Sequence, residues 1–270
     1  RETDMAALPG TLGLEIVRHY NSTFSRPNHS TNLVGRGWKL SYETQLHVTG
    51  NAFQVIQADG ARIIFERDPN NPALCASRNP ADGHLTEVQT GRGKEYVWHW
   101  TNGRELSFDA KGKLVQILAP GGQFVTLQYD AQGLLRTVTD PQGRSLRLHY
   151  AGKRDTSGNF RGLQAIDSPV GRFAYSYGSP LPQGAGDDPA LLRANLRMVT
   201  FPTGARTYHY EDARFPTLLT GISELGGGGT APARWQRIAT YGYDANGKGN
   251  LSVRGLPARL ARGAGGALVQ

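Results

Sequence analysis

Apolar and polar residues alternate along most of this chain. Phe124-Val125-Thr126-Leu127-Gln128-Tyr129, Leu146-Arg147-Leu148-His149-Tyr150, Phe173-Ala174-Tyr175-Ser176-Tyr177 and Thr207-Tyr208-His209-Tyr210 each put alternate side chains on one face of an extended strand. Between such runs lie short segments built from Gly, Pro, Asn and Asp. The pattern predicts many short strands joined by turns. Helical spacing is confined to Pro189-Ala-Leu-Leu-Arg-Ala-Asn195, where Asp188 as N-cap and Pro189 at the first position predict one turn of helix.

The alternation is periodic. Phe108-Asp109, Gly112, Leu114, Pro120 and Gly122 match Tyr129-Asp130, Gly133, Leu135, Pro141 and Gly143, each at an offset of 21. Val125, Leu127 and Tyr129 match Leu146, Leu148 and Tyr150 at the same offset. Part of the unit recurs as Ile166…Pro169…Gly171 with Tyr177 beyond it, and as Val199…Pro202…Gly204 with Tyr210 beyond it. Looser copies stand at Asp59-Gly60 and at Tyr243-Asp244…Gly247. Pro fixes φ, Gly permits positive φ, and Asp bonds to its own backbone two residues on, so both Pro-x-Gly and Asp-x-x-Gly read as turns. Each unit is then one β-hairpin. A lone hairpin is marginal in water, so neighbours must pair edge to edge.

Tyr-Asp-x-x-Gly-x-Leu followed by Ile or Val and a Pro-x-Gly turn resembles the YD repeat of Rhs and teneurin-like proteins. The segments Leu14-Glu-Ile-Val-Arg-His-Tyr20-Asn-Ser22 and Gly35-Arg-Gly-Trp38-Lys-Leu-Ser-Tyr42-Glu43 resemble the domain that opens the repeat region of bacterial Rhs proteins. The resemblance implies an all-β fold, an extended antiparallel sheet of stacked hairpins curled into part of a shell. It implies an opening segment over 1–50, repeats over 51–250 and a further repeat or tail over 251–270. In function it implies a structural segment of a secreted shell enclosing a C-terminal toxin or other cargo, exported by contact-dependent or type VI machinery and displayed at or beyond a bacterial cell surface. The partners expected are the remaining repeats and the cargo of the same polypeptide, with secretion machinery or surface glycans further candidates. The chain is far too short to close such a shell, so it reads as a segment with exposed sheet edges that invite self-association. In the family an Asp-Pro-x-Gly segment before the toxin marks self-cleavage, but Asp140-Pro141-Gln-Gly143 sits inside a repeat and reads as a turn.

Charge and chemistry change this picture little. The net charge is +8, yet the cations are mostly scattered Arg with no run of five, so nucleic acid is not expected as a partner. No stretch is long and apolar enough for a transmembrane helix. Cys75, the only cysteine, forms no internal disulfide and lies in a Pro/Asn-rich stretch read as a loop. Histidines 19, 29, 47, 84, 99, 149 and 209 lack metal-ligand spacing, and His149 and His209 should face outward. No nucleophile elbow is present, and the glycines at 226–229 read as a flexible link because no helix follows. No catalytic, metal or cofactor site is therefore expected, and the chain is not expected to be an enzyme. Trp98 and Trp100 share a face, as do Tyr175 and Tyr177, Tyr208 and Tyr210, and Tyr241 and Tyr243. Packing across strands is the favoured reading of these pairs. Exposed, Trp98 and Trp100 would stack on sugars, and the chain would be a carbohydrate-binding or adhesive surface module.

Overall fold

The computed structural model describes residues 1–26, 32–91, 93–151, 162–180, 182, 192–226 and 233–254. The link at 227–229, most of the insertions at 153–162 and 178–188, the start of the helical turn at 189 and the tail beyond 254 lie outside these residues. Two compact units are present. One comprises residues 1–21, 38–150 and 165–171, and the other comprises 22–37, 151–164 and 172–270. The opening segment is thus shared between the units.

In the first unit, β1 (Glu2–Met5), β2 (Ile16–Tyr20) and β3 (Trp38–Leu40) form a small antiparallel sheet. Its core is an ion pair. The Arg18 guanidinium donates to Asp4 at 2.7 and 2.8 Å, both side chains are fully buried, and the cation lies 4.7 Å from the Trp38 ring centre. A long antiparallel meander follows: β4 (Gln45–Thr49), β5 (Ala52–Ile56), β6 (Arg62–Arg67), β7 (Leu74–Ser77), β8 (His84–Thr90), β9 (Gly93–His99), β10 (Glu105–Asp109), β11 (Leu114–Leu118), β12 (Phe124–Tyr129), β13 (Leu135–Thr139) and β14 (Ser145–Tyr150). Next in the chain is β15 (Leu163–Ser168). In the second unit β16 (Gly171–Tyr177), β17 (Leu196–Phe201), β18 (Gly204–His209), β19 (Gly221–Gly226), β20 (Arg234–Tyr243) and β21 (Gly249–Arg254) continue the same topology.

The repeat strands bury one alternating set. Val125, Leu127, Leu146 and Leu148 are buried, whereas Phe124, Gln128 and Arg147 are exposed. Phe53, Phe65, Leu85 and Phe108 are fully buried, and they add bulky apolar mass to the first unit's core. Cys75 departs from its sequence reading. It lies on β7, not in a loop, paired with Arg67 and Leu85 and with no exposed surface. Burial also raises its thiol pKa, which makes it a small core residue. Two short 3-10 turns, Ser22–Ser25 and Pro80–Asp82, complete the described structure, and the chain's alternating pattern gave no sign of either.

Candidate functional site: one turn and one clasp, repeated

Seven turns among the described residues share one geometry. They span 57–61, 100–104, 109–113, 119–123, 130–134, 140–144 and 244–248. In each, the first residue's N–H donates to the fifth residue's carbonyl, and the fourth residue's N–H donates back to the first carbonyl. The fourth residue is always Gly, with φ between 72° and 95°. That left-handed position disfavours any Cβ, and it gives the three-residue hairpin loop its twist. Where Asp comes first, the carboxylate fixes the turn as well. Oδ1 of Asp109, Asp130, Asp140 and Asp244 accepts from the N–H groups two and four residues on, at 2.8 to 3.0 Å. Asp130 is held below the usual carboxylate range by the Leu134 N–H first and by Arg136 after it. The Lys248 N–H does the same for Asp244.

Pro-x-Gly and Asp-x-x-Gly, which look like two turn types in sequence, are thus one turn at Pro120–Gly122 and Pro141–Gly143. Asp140-Pro141-Gln-Gly143 is one of the seven, and Arg144 clamps it by donating to Asp140 at 2.7 Å and to the Pro9 carbonyl at 2.8 Å. The later copies differ. Pro169 and Pro202 each open a tight two-residue connection, from Ser168 to Gly171 and from Phe201 to Gly204, and Gly204 needs no positive φ.

The repeat tyrosines close the hairpins from the side. Tyr129 Oη donates to the Leu114 carbonyl at 2.7 Å, Tyr150 to Leu135 at 2.8 Å, Tyr177 to Leu163 at 2.5 Å and Tyr243 to Leu219 at 2.7 Å. Tyr129 also pairs in register with Leu135. Leu114, Tyr129, Leu135 and Tyr150 therefore form a ladder that gains one clasp per repeat. Burial first, and Glu43 nearby, push the Tyr129 and Tyr150 phenols far above their ordinary value, so they stay protonated donors. Phe108, at the matching place one unit earlier, is fully buried and has no hydroxyl to give. Tyr210 is buried too.

A bulge accompanies the clasps at Tyr129, Tyr177 and Tyr243, and one stands at Phe108 as well. Pairing slips by one residue between Ser107 and Phe108, between Gln128 and Tyr129, between Ser176 and Tyr177, and between Gly242 and Tyr243. The extra residues are Val115, Arg136, Arg197 and Asn250. In a flat strand, residues three apart face opposite ways. The bulge restores parity, so Leu114 and Ile117, Leu135 and Val138, and Leu196 and Val199 are all buried. In the second unit, Gly35 lies under the Tyr177 clasp. A Cβ there would stand 2.6 Å from the Ala194 carbonyl and 3.1 Å from the Tyr177 ring.

Side-chain clusters off the repeat satisfy one another. Trp98 is 3% exposed, gives its indole N–H to the Asp82 backbone carbonyl at 2.7 Å, and packs on Phe65 and Trp100. Any sugar-stacking at this pair therefore falls to half-buried Trp100, under the Arg104 guanidinium. Tyr175 and Tyr208 are buried in the second unit. His149 meets Asp167 at 2.7 Å in a half-exposed pair. His99 bonds Thr86 and Glu105 and stacks on His84. Ser223, His209 and Glu211 have the order of a hydrolytic triad, with Ser223 Oγ 2.8 Å from His209 Nε2. The third link is a 3.8 Å charge contact, and the Glu211 carboxylate is held by Arg237 and Thr220. Ser223 is 7% exposed and sits in mid-strand, unlike a nucleophile presented on a strained turn. No group of three or more possible metal ligands occurs among the described residues.

Residues 108–145, which hold four of the turns and the Tyr129 clasp in full, match the family model described as RHS Repeat. Over those residues the chain carries an RHS repeat. Residues 1–65 of this YD-repeat chain match a second model, Domain of unknown function (DUF6531), which spans the small sheet and the first hairpin of the meander. Among solved structures, a chain of the crystal structure of TcdB2-TccC3-TEV aligns at 14% identity and a TM-score of 0.27, over 73% of the YD-repeat chain. The YD-repeat chain spans 13% of that longer chain. No curated protein matches. No helix among the described residues is long and apolar enough to cross a membrane.

Proposed function

We propose that the chain is a wall segment of a secreted bacterial Rhs-type shell, structural in role, whose further repeats and C-terminal cargo belong to the same polypeptide. The Leu114–Tyr129–Leu135–Tyr150 ladder carries this reading. Each unit ends by offering the next one the same acceptor and the same edge, so the sheet extends by repetition, as a wall must. The turn carboxylates support it as well, because they are occupied by backbone N–H groups and leave no paired acids for chemistry. Cargo identity and export route follow from the longer polypeptide.

The test is an immunoblot of source cells against this segment, followed by protease digestion of the native polypeptide. The expected band lies well above 29.3 kDa. The C-terminal region should resist protease until the repeat region is denatured. A band at the size of the segment, or a C-terminal region digested equally fast in both states, overturns the proposal.

A further inference from the structure

The first unit holds a break in its sheet that the repeat does not explain. β6 pairs with β5 from Arg62 to Glu66, but on its other side β7 covers only Phe65, Glu66 and Arg67. β7 ends early because the chain turns away. The Asn79 N–H donates to Ser77 Oγ, Asn79 Oδ1 caps the 3-10 turn Pro80–Asp82, and Pro80 has no N–H to give a ladder. Among the described residues, Arg62 to Ile64 thus have a strand on one side only. They border a groove of about 800 Å³ that Ala76, Arg78, Asn79 and Asp82 also line. Ile64 stands at it with 53% of its surface exposed, on the face away from buried Phe53, Val55 and Phe65.

The ladder fixes where the unused backbone groups point. Antiparallel strands exchange bonds at every second residue. The Gln57 N–H bonds the Ala61 carbonyl and the Arg67 N–H bonds the Asn51 carbonyl, so the odd-numbered residues of β6 turn toward β5. Even-numbered residues turn the other way, as the Asp68 N–H does in bonding the Leu74 carbonyl. Ile64 and Arg62 keep this phase beyond the end of β7. Their N–H and carbonyl groups therefore face the groove with no backbone partner among the described residues. The groove of the second unit, where Ser179, Pro180 and Pro182 stand over His209, Ser223 and Trp235, differs in this respect, because β18 and β19 beneath it are paired on both sides.

We propose that the β6 edge binds an extended peptide strand of another protein in antiparallel register, with an apolar residue beside Ile64 and an acidic residue two positions later beside Arg62. An edge that alternates donor and acceptor matches a peptide backbone, whereas half of it repels a simple anion. Side chains two apart share a face, so Ile64 and Arg62 read alternate residues of the added strand. The charges at the groove call for the acid. Arg67 pairs with Glu87, and Arg78 lies 3.7 Å from Glu66. The Asp68 carboxylate accepts from the Asn70 and Asn71 N–H groups, and Asp82 accepts from Ser77 and Asn79. Arg62 is exposed and has no carboxylate partner among the described residues. A second copy of this chain fits poorly, because pairing two β6 edges brings two such guanidiniums together. The site adds a binding role to the wall and does not depend on enclosure.

Amide hydrogen exchange read by NMR on the full chain tests the proposal, with the N-acetylated, C-amidated peptide Thr-Val-Thr-Asp-Thr as probe. In the free chain the Arg62 and Ile64 amides should exchange roughly tenfold or more faster than those of Ile63 and Phe65. The peptide should slow them by a similar factor, with a Kd of about 1 mM or tighter. The same peptide with Lys for Asp, or N-methylated at Val and Asp, should bind more weakly. Arg62→Glu should reverse the preference between the Asp and Lys peptides. Ile64→Pro removes an N–H that faces the groove and none that bonds β5, so it should abolish binding and still fold. If Ile64→Pro changes the far-UV circular dichroism, Arg62→Glu decides instead. Slow Arg62 and Ile64 amides in the free chain, no saturation by about 10 mM peptide, equal binding of the three peptides, or an unchanged preference in Arg62→Glu would overturn the proposal. Protection of both amides that grows with protein concentration alone would overturn it too, by making a second copy the occupant.

Discussion

A single hydroxyl joins neighbouring hairpins at Tyr129 and again at Tyr150. Tyr150→Phe should therefore cost about 1–2 kcal/mol in urea unfolding, because the Leu135 carbonyl loses its donor while the ring still packs. Phe108 shows that the ring alone can occupy the position. The turn glycines separate two effects. At Gly143 (φ 80°) an added Cβ meets nothing within 4 Å, so Gly143→Ala should cost only backbone strain, about 1–2 kcal/mol. At Gly112 the same Cβ would collide with the Leu46 carbonyl, so Gly112→Ala should be clearly worse in the same assay. Asp4→Ala would remove both carboxylate bonds from the buried Arg18 guanidinium in the small sheet's core, at a cost of about 3–5 kcal/mol in chemical denaturation.

At the level of the strand, the 21-residue period was plain in the letters, and so were the turns and the buried faces. The bulge was visible but undecoded. Leu114…Ile117 and Leu135…Val138 are three apart, which a flat strand cannot bury together, and only the pairing register shows Val115 and Arg136 slipping out to correct the phase. Deleting Arg136 leaves Leu135 and Val138 two apart and still on one face, so that variant should fold with a lowered unfolding midpoint. Deleting Thr126 from unbulged β12 throws Val125 and Leu127 onto opposite faces, and that variant should fail to give a cooperative transition. Cys75 misled for a different reason. Its proline- and asparagine-rich approach resembles a loop, and the strand it enters, Leu74–Ser77, is only four residues long and too short to show an alternating run. The groove at His209 and Trp235 was equally hidden, because its residues come from five separate segments, the stretch at 179–182 and strands β17 to β20.

For the molecule as a whole, acid should be destabilising in two stages. His19, His84 and His209 all have folded pKa values lowered from 6.5, chiefly by burial. The unfolded chain therefore takes up protons first as pH falls through 6.5, and stability drops until the folded-state values are passed. Glu87, Glu211 and Asp244, lowered by Lys94, by Arg237 and by the Lys248 N–H respectively, add a second loss as pH falls from the ordinary carboxylate values toward their depressed ones. Thermal melts from pH 8 to pH 3 should show both falls, and a flat profile between pH 7 and pH 5 would contradict the histidine assignment. The identical turns have one more consequence, for how such a protein changes over generations. A tandem duplication of any 21 residues within 109–150 supplies its copy with a loop, a bulge and a tyrosine in the same phase, wherever the break falls. Each intermediate length would be a folded protein, so the size of the sheet is open to gradual selection through simple copying errors.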